Sequence, residues 1–239
     1  MAGGIEVAGS PAIGADYGTL MGIGELGIRI SANSETVLAA ADGIIDFTVP
    51  QATLALVKLT AERKKIHVIG TTGIDAAGDD VINRAAQQTR IVKSGNYSLG
   101  VNILQVLVKK VAAVLGDEFD IEVLEMHHKH KIDAPSGTAL MLGKAAADGR
   151  KVNLQAKSVR VRDGHTGARK VGDIGFATLR GGAVIGDHTV MFSSEAERIE
   201  LTHKAQSREM FARGAVRAAM WAMDQKPGLY DMQDVLGLT

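Results

Sequence analysis

From residue 43 onward the chain alternates short apolar runs with longer amphipathic stretches, and this rhythm constrains its fold more than any other feature. The apolar runs predict buried strands at 43–48, 66–70 and 90–93. The stretches between them predict helices over 50–64 and 75–88. A strand–helix–strand–helix–strand order predicts a parallel sheet with right-handed crossovers, which is the arrangement of a Rossmann-type domain.

The second half of the chain follows a different pattern. A helix is predicted over 99–115, and one further helix begins after the first strand that follows it. The other elements of this half are predicted strands: 120–126, 157–162, 174–179, 183–192 and 198–203. Consecutive strands without helices predict a mixed or antiparallel sheet. A final helix over 208–223 indicates that the chain returns to its first domain. The predicted fold class is α/β, with one domain from residues 1–98 and 208–239 and an α+β domain from residues 99–207.

The amino-acid composition limits the kinds of molecule that the protein is expected to bind. The 27 basic and 27 acidic side chains cancel, so we expect neither a nucleic acid nor an anionic membrane surface as a partner. The chain has no cysteine and no apolar run long enough to span a bilayer, and its start lacks the basic and apolar regions of a secretory signal. We therefore expect a cytoplasmic protein.

The segment from Glu125 to Ala139 carries the most unusual chemistry. It contains three histidines, two lysines and a Ser-Gly-Thr, at a strand end that passes through a loop into a helix. Pro135 fits the first turn of that helix, and the N–H groups of Ser136, Gly137 and Thr138 would be free to bind an anion. Histidine exchanges protons near neutral pH, and lysine supplies positive charge or a proton. The segment could therefore bind an anion and protonate it.

Two other interpretations of this segment are open on the residues alone. It could be a solvated basic loop without a binding function. It could also hold zinc, since His128 and His130 have the spacing that places two imidazoles on one face of a strand. Lys129 and Lys131 argue against a metal, because they would place cations beside it. We therefore predict no metal site.

The run HHKHKIDAPSGTA resembles the central motif of the dihydrodipicolinate reductase family. The resemblance implies that His127 is the catalytic histidine and Lys131 the proton-donating lysine, and that His128, Gly137 and Thr138 contact the substrate, a small dicarboxylate. It also implies a homotetramer built through the sheets of the substrate domain. Similarity to the family extends from about residue 5 to the end, through these further segments: 46–48, 70–73, 94–102, 162–167, 174–178 and 228–232.

Family likeness also assigns the nicotinamide cofactor, NADH or NADPH, to turns that follow predicted strands. Gly70, Thr71 and Thr72 follow one strand, and Ser94, Gly95, Asn96 and Tyr97 follow the next, at the edge where α/β proteins bind ligands. Glu6 matches the residue that contacts the adenosine ribose. An acidic side chain there accepts hydrogen bonds from the ribose hydroxyls, and Val7 stands where the family often has arginine, which favours NADH weakly.

The usual glycine-rich phosphate loop has no convincing counterpart. Gly22-Ile-Gly-Glu-Leu-Gly27 matches its spacing, but no buried strand precedes it and no helix follows, so we interpret it as a loop. The Rossmann-type domain is therefore expected to lack its first strand, phosphate loop and first helix. Two rival hypotheses follow: a non-catalytic relative that keeps the substrate domain but cannot hold the dinucleotide, and another nicotinamide dehydrogenase, such as a homoserine dehydrogenase relative.

Overall fold

A computed structural model describes residues 1–238 of the protein. In chain order its strands are β1 (Gly4–Ile5), β2 (Ile30–Ser31), β3 (Gly43–Asp46), β4 (Ile66–Ile69), β5 (Arg90–Lys93), β6 (Asp120–His127), β7 (Ser158–Val159), β8 (Ile174–Arg180), β9 (Asp187–Ser193), β10 (Arg198–Lys204) and β11 (Gly228–Tyr230). Its helices are α1 (Tyr17–Leu20), α2 (Ser34–Ala39), α3 (Pro50–Glu62), α4 (Ala76–Ala86), α5 (Leu99–Val114), α6 (Gly137–Arg150), α7 (Leu154–Lys157), α8 (Glu209–Ala222) and α9 (Met232–Leu236). In the described part of the chain, no helix has the length and apolar character needed to cross a membrane.

The chain divides into two compact units, and the first comprises Met1–Ser94 together with Ala215–Val235. Its main sheet has the strand order β11-β5-β4-β3, and every neighbouring pair is parallel. The predicted parallel sheet is therefore confirmed. The residues after α8 add β11 to this sheet and form α9.

Burial explains why this sheet forms where the sequence predicts it. All four residues of β4 are buried, as expected for a central strand covered on both faces. Ile69 and Ile91 pack with Val57 of α3 and Ile82 of α4 in one apolar cluster. Helix α3 begins at a proline, whose fixed φ suits the first turn of a helix.

Residues 1–31 form a small separate structure within this unit. Strands β1 and β2 pair in parallel as a two-stranded sheet of their own. The Asp16 carboxylate accepts hydrogen bonds from the N–H groups of Thr19, Leu26 and Ile28 and so organises the loop between them. Gly22, Gly24 and Gly27 all have positive φ and open no helix. The interpretation of this glycine cluster as a loop is confirmed.

The second unit is built mainly from Gly95–Gly214. Its sheet has the order β10-β9-β6-β8-β7, with β6, β8 and β7 parallel to one another and β9 antiparallel to both of its neighbours. The predicted mixed sheet is confirmed. Helices α5 and α6 contribute Val108 and Leu142 to its core, where they pack with Val123 of β6 and Phe192 of β9.

Two predicted strands of this unit are partly wrong. The strand expected at 157–162 is confined to Ser158–Val159, because the side chains that follow are exposed and have no sheet to pack on. The strand expected from 183 begins only at Asp187, since residues 183–186 belong to a turn that follows Gly182, whose φ is 52°.

Candidate active site

The buried face of strand β6 is apolar at its start and polar at its end. Its residues alternate between partly buried and buried, so Ile121, Val123, Glu125 and His127 share the face that is covered by helices. The first two pack in the apolar core, and the last two continue the same face with a carboxylate and an imidazole. A buried acid and histidine two residues apart are therefore neighbours by strand geometry.

Glu125 is the centre of a buried hydrogen-bond cluster. One of its oxygens lies 2.5 Å from Nδ1 of His127, and its two oxygens accept bonds of 2.8 and 2.9 Å from the Arg180 guanidinium. The Ser136 N–H donates to it at 3.1 Å. Burial alone would raise the pKa of Glu125, but the hydrogen bonds from Arg180 and His127 outweigh it and hold that pKa below its ordinary value. Glu125 is therefore ionised at neutral pH.

His188 completes this cluster from the neighbouring strand. Its Nε2 lies 3.1 Å from the Ser136 hydroxyl, and its ring stands edge-on to that of His127 with centroids 5.1 Å apart. Burial, assisted by the charge of His127, lowers the pKa of His188 to about 4. His188 is therefore uncharged at neutral pH.

A cavity of about 550 Å³ opens where β6 ends. It is lined by His128, Lys129, His130, Gly182, Ala183, Ile185 and Arg208. Arg208 donates to Nε2 of His128 at 3.3 Å, and burial together with the charge of Arg208 lowers the pKa of His128. Since two of the lining residues are permanent cations at neutral pH, the cavity suits an anion.

The predicted anion site at the start of α6 needs a correction. Pro135 does not lie in the first turn, because the helix begins at Gly137 with Ser136 as its N-cap. The Ser136 hydroxyl accepts from the Ala139 N–H, and its own N–H is already bonded to Glu125. Within residues 1–238 the N–H groups of Gly137 and Thr138 have no acceptor, as is usual for a first helical turn. These two groups could therefore bind a carboxylate.

Lys131 lies in the turn that follows His128, with its ammonium group 2.6 Å from the Asp133 carboxylate. Its side chain is mostly covered, whereas the neighbouring Ile132 is almost fully exposed. The hydrogen bond from Lys131 is the main reason that the pKa of Asp133 is lowered. Lys131 is therefore tied to Asp133 within the loop that precedes α6.

The zinc interpretation assumed that His128 and His130 lie on one strand. Strand β6 ends at His127, so His128 and His130 do not share a strand face, and their ring centroids are 6.3 Å apart. Across residues 1–238, no three His, Asp or Glu side chains are grouped in a way that could hold a metal ion.

In the first unit, the predicted cofactor residues lie at the carboxyl ends of β4 and β5. Gly70 follows β4 and donates its N–H to Asp46, and a Cβ there would meet the Phe47 ring at 2.2 Å, so only glycine fits. The Thr71 hydroxyl is buried and accepts from Thr53 at 2.7 Å, whereas Thr72 is exposed. Ser94 follows β5, and its N–H donates to Ile69.

The remaining cofactor predictions divide between the two units. Glu6 of the first unit directly follows β1, is exposed, and uses one carboxylate oxygen to accept from the Val7 N–H. In the second unit Gly95 has open space around it, Tyr97 is buried, and Asn96 donates to the Thr138 hydroxyl at 3.1 Å. An exposed carboxylate after a strand and glycine turns at the carboxyl edge of a parallel sheet suit a dinucleotide.

Four residues of the site lie outside the predicted set: Glu125, Arg180, His188 and Arg208. The two-residue spacing of Glu125 and His127 on an alternating strand could have indicated the first. The other three reach the site through strand pairing and loop packing across long stretches of sequence, which left no local signal.

The first unit has glycine turns at the carboxyl ends of parallel strands, and the second has a buried acid–histidine pair and a cationic cavity. These features suit the class of dinucleotide-dependent oxidoreductases that act on small anions. Comparison with known proteins then gives the family. The sequence models "Dihydrodipicolinate reductase, N-terminus" and "Dihydrodipicolinate reductase, C-terminus" match residues 1–97 and 100–236. The chain belongs to the dihydrodipicolinate reductase family.

Relatives named 4-hydroxy-tetrahydrodipicolinate reductase align along the whole chain. The 4-hydroxy-tetrahydrodipicolinate reductase of Rhodopseudomonas palustris (strain BisB18) is 60% identical over 239 residues, which are 100% of this chain and 88% of that protein. The enzyme of Brucella melitensis biotype 1 (strain ATCC 23456 / CCUG 17765 / NCTC 10094 / 16M) is 57% identical over 100% of this chain and 89% of its own. A solved structure, the dipicolinate-bound dihydrodipicolinate reductase from Paenisporosarcina sp. TG-14, shares the fold with a TM-score of 0.71 and 22% identity, covering 88% of this chain and 80% of that one.

Proposed function

We propose that this protein catalyses the NAD(P)H-dependent reduction of 4-hydroxy-tetrahydrodipicolinate to tetrahydrodipicolinate, a step of diaminopimelate and lysine synthesis. The observation that carries the proposal is the buried Glu125–His127 pair, which directly precedes His128 of a cavity that Lys129 and Arg208 also line. A small dicarboxylate needs cations and free N–H groups, and its reduction needs a proton source. The 60% identical relative that bears this enzyme's name aligns along the whole chain and supports the same function.

The site residues divide between binding and proton chemistry. We assign the two substrate carboxylates to His128 and to the N–H groups of Gly137 and Thr138. We add Arg208, because its guanidinium donates to His128. His127 and Lys131 are assigned to proton transfer. When bound, the nicotinamide cofactor supplies the hydride that reduces the substrate ring. Because the product lacks the 4-hydroxyl of the substrate, that group leaves as water, and the enzyme's own residues hold the substrate and transfer the protons for this departure and for the reduction.

Glu6 is proposed to accept hydrogen bonds from the adenosine ribose hydroxyls, with Gly70, Thr71, Thr72, Ser94, Gly95, Asn96 and Tyr97 lining the nicotinamide half. Because Val7 is apolar and exposed, a ribose phosphate gains no charge partner there, which favours NADH over NADPH. Titration of both cofactors tests this preference. Val7→Arg should tighten NADPH binding about tenfold and leave NADH within threefold, since it adds one cation beside the phosphate. An unaltered NADPH affinity would remove residue 7 from the cofactor site.

The rival hypothesis of a non-catalytic relative fits the chain less well. Every predicted catalytic and substrate residue is present, and the buried partners of His127 are in place. Binding of NADH or NADPH distinguishes the two hypotheses, because a protein that cannot hold the dinucleotide gives no change in nicotinamide fluorescence on titration. Membership of the dihydrodipicolinate reductase family excludes the homoserine dehydrogenase alternative.

A homotetramer is proposed to form through the sheet of the second unit. The face of this sheet opposite His127 carries the partly buried Leu124, Met126 and Met191, and Leu179 on it is 48% exposed. Apolar side chains on an exposed sheet face favour association. Sedimentation of the wild type and Leu179→Asp tests this: dissociation of the variant supports the proposed interface. A cytoplasmic location, expected from the composition, is also proposed, as for a biosynthetic enzyme of this family.

An NAD(P)H oxidation assay with enzymatically generated 4-hydroxy-tetrahydrodipicolinate tests the central proposal. We expect turnover by the wild type and a loss on the order of 10²-fold for His127→Gln, the range of a positioned acid or base. Wild-type protein that binds the cofactor but does not turn over this substrate would overturn the proposed activity. Full activity of His127→Gln would leave the activity standing and remove His127 from proton transfer.

A further inference from the structure

We infer that Glu125 is a positioning residue for this reaction, that it fixes His127 as the Nδ1–H tautomer, and that Nε2 is consequently the nitrogen that exchanges a proton. The inference rests on the proposed role of His127 in proton transfer. It extends that role to named atoms and to residues that the family likeness did not bring forward: Glu125, Arg180 and Gly186.

The hydrogen-bond donors around Glu125 determine which nitrogen of His127 carries a hydrogen. An ionised carboxylate only accepts hydrogen bonds, and Glu125 receives them from Arg180 and from the Ser136 N–H. The short contact with His127 must therefore also be donated by the imidazole, so Nδ1 carries a hydrogen. A neutral His127 then has its lone pair on Nε2. Glu125 is 1% exposed, so water does not compete for this bond.

Gly186 lies beside Nε2 of His127. A Cβ built on Gly186 would lie 3.0 Å from Nε2 of His127 and 3.4 Å from His188. Gly186 is held in place by its carbonyl, which accepts from the Ala205 N–H at 3.0 Å. Glycine at this position therefore keeps the Nε2 edge of the ring free of a methyl group.

Arg180 connects the Glu125–His127 pair to the loop that contains Lys131. The Arg180 guanidinium binds both oxygens of Glu125 and also donates to the backbone carbonyl of Asp133 at 2.6 Å. Asp133 is the residue whose carboxylate binds Lys131. Arg180 thus holds one end of the Lys131 loop against the same carboxylate that orients His127. It also neutralises the charge of Glu125, so the pair can remain buried.

His188 does not compete with His127 for a hydrogen bond to Glu125. Its Nε2 is engaged with the Ser136 hydroxyl, and it is uncharged at neutral pH.

During turnover the Nε2–H bond of His127 forms or breaks as the proton moves, while the Nδ1–H bond to Glu125 persists. Glu125 itself touches neither substrate nor cofactor in this scheme and acts only through His127.

Nitrogen-15 NMR of the histidine-labelled protein tests the inference directly. Two-bond correlations from the carbon-bound ring protons to the ring nitrogens separate the tautomers, and His127→Gln assigns the signal among the seven histidines. We expect neutral His127 to show Nδ1–H in the wild type and to lose this preference in Glu125→Gln. Wild-type His127 with the hydrogen on Nε2, or an unchanged tautomer in Glu125→Gln, would overturn the inference whatever the activity.

Kinetics provide the second readout. Glu125→Gln should lower kcat on the order of 10²-fold with KM within about threefold, because a misoriented imidazole affects the chemical step more than binding. Gly186→Ala should keep the tautomer and the fold but lower kcat about tenfold, since its methyl crowds Nε2. Gly181→Ala is the matched control, because its Cβ meets only the flexible end of Met126.

These readouts keep two failures apart. If His127→Gln retains wild-type kcat, the proton role proposed for His127 fails, while the NMR spectra still decide whether Glu125 sets its tautomer. If Glu125→Gln does not fold, as judged by circular dichroism, the wild-type tautomer and the kcat of Gly186→Ala decide in its place. An Nδ1–H wild type together with a fully active Gly186→Ala would contradict the assignment of Nε2.

Discussion

The side-chain amide of Asn96 donates to the Thr138 hydroxyl at 3.1 Å. The same amide group uses its oxygen to accept from the Ser98 N–H, and the Asn96 carbonyl accepts from Asn102. Asn96 is thus fixed at the start of α5 and holds Thr138 at the start of α6. A residue predicted to meet the cofactor and one predicted to meet the substrate are directly bonded, so the position of one depends on the other.

Thr138→Val should therefore weaken substrate binding. Valine keeps the shape of threonine but gives Asn96 no acceptor, and a lost hydrogen bond of about 1 kcal/mol corresponds to about a fivefold rise in KM. We expect kcat within threefold of wild type, measured by steady-state kinetics at saturating cofactor. Thr138→Ser retains the hydroxyl and is the matched control. Equal KM values for the valine and serine variants would show that the Asn96 bond has no part in binding.

Lys131→Ala should lower kcat by a factor on the order of 10² or more, because it removes the proposed proton donor. The measurement is the initial rate of NAD(P)H oxidation at saturating substrate. Lys144→Ala is the control, since Lys144 forms an exposed pair with Asp148 on α6 and has no role in the site. A Lys131→Ala enzyme with unchanged kinetics would assign the proton to another group.

Periodicity predicted most elements because each lies within one stretch of sequence. The bounds of β5 are those expected from its apolar run, and β6 extends the expectation by a single residue. The predicted strand at 157–162 failed because alternation in a loop resembles alternation in a strand. Whether such a run pairs depends on a partner far away in the sequence, which local patterns do not reveal.

The site was predictable only where it is contiguous. His127 and His128 follow one another, but Arg180 reaches Glu125 because β8 pairs with β6 in a register that places it opposite His127. His188 lies opposite Glu125 through the register of β9. Register is a property of the folded sheet, so these partners could not be named from sequence. Ser136 was misplaced in the anion site for the same reason, since its N–H is used by Glu125.

The buried His188 should make the protein less stable in mild acid. Its pKa is about 4 in the folded state against an ordinary value of 6.5, so the unfolded chain binds the extra proton first. Folding is unaffected above pH 6.5 and loses up to about 3 kcal/mol as the pH falls to 4. Urea unfolding of wild type and His188→Asn at pH 7 and 5 measures this.

The difference in unfolding free energy between wild type and His188→Asn should shift in favour of the variant at pH 5. His165→Asn is the control, because His165 is exposed in a loop and lies outside the buried cluster around His188. A parallel pH dependence in the wild type and His188→Asn would show that His188 is not the group responsible.

The carboxylate of Asp46 should have the opposite dependence in the first unit. Burial would raise its pKa, but hydrogen bonds from His67, Thr48 and Thr53 outweigh burial and lower it to about 2 from an ordinary value of 3.8. A lowered folded-state pKa stabilises the fold above the ordinary value, and this stabilisation of about 2 kcal/mol is lost as the pH falls from 4 to 2.

Asp46→Asn removes this charge and should be destabilised at pH 7, with the deficit narrowing as the pH falls from 4 to 2, because the wild type loses what the variant never had. Denaturant unfolding followed by circular dichroism at pH 7, 4 and 2.5 gives the three values. Asp80→Asn serves as the control, since Asp80 is an exposed acid on α4 of the same unit. A deficit that stays constant between pH 4 and 2.5 would mean that Asp46 is not ionised in the folded protein, and the hydrogen bonds from His67, Thr48 and Thr53 would then stabilise the neutral acid.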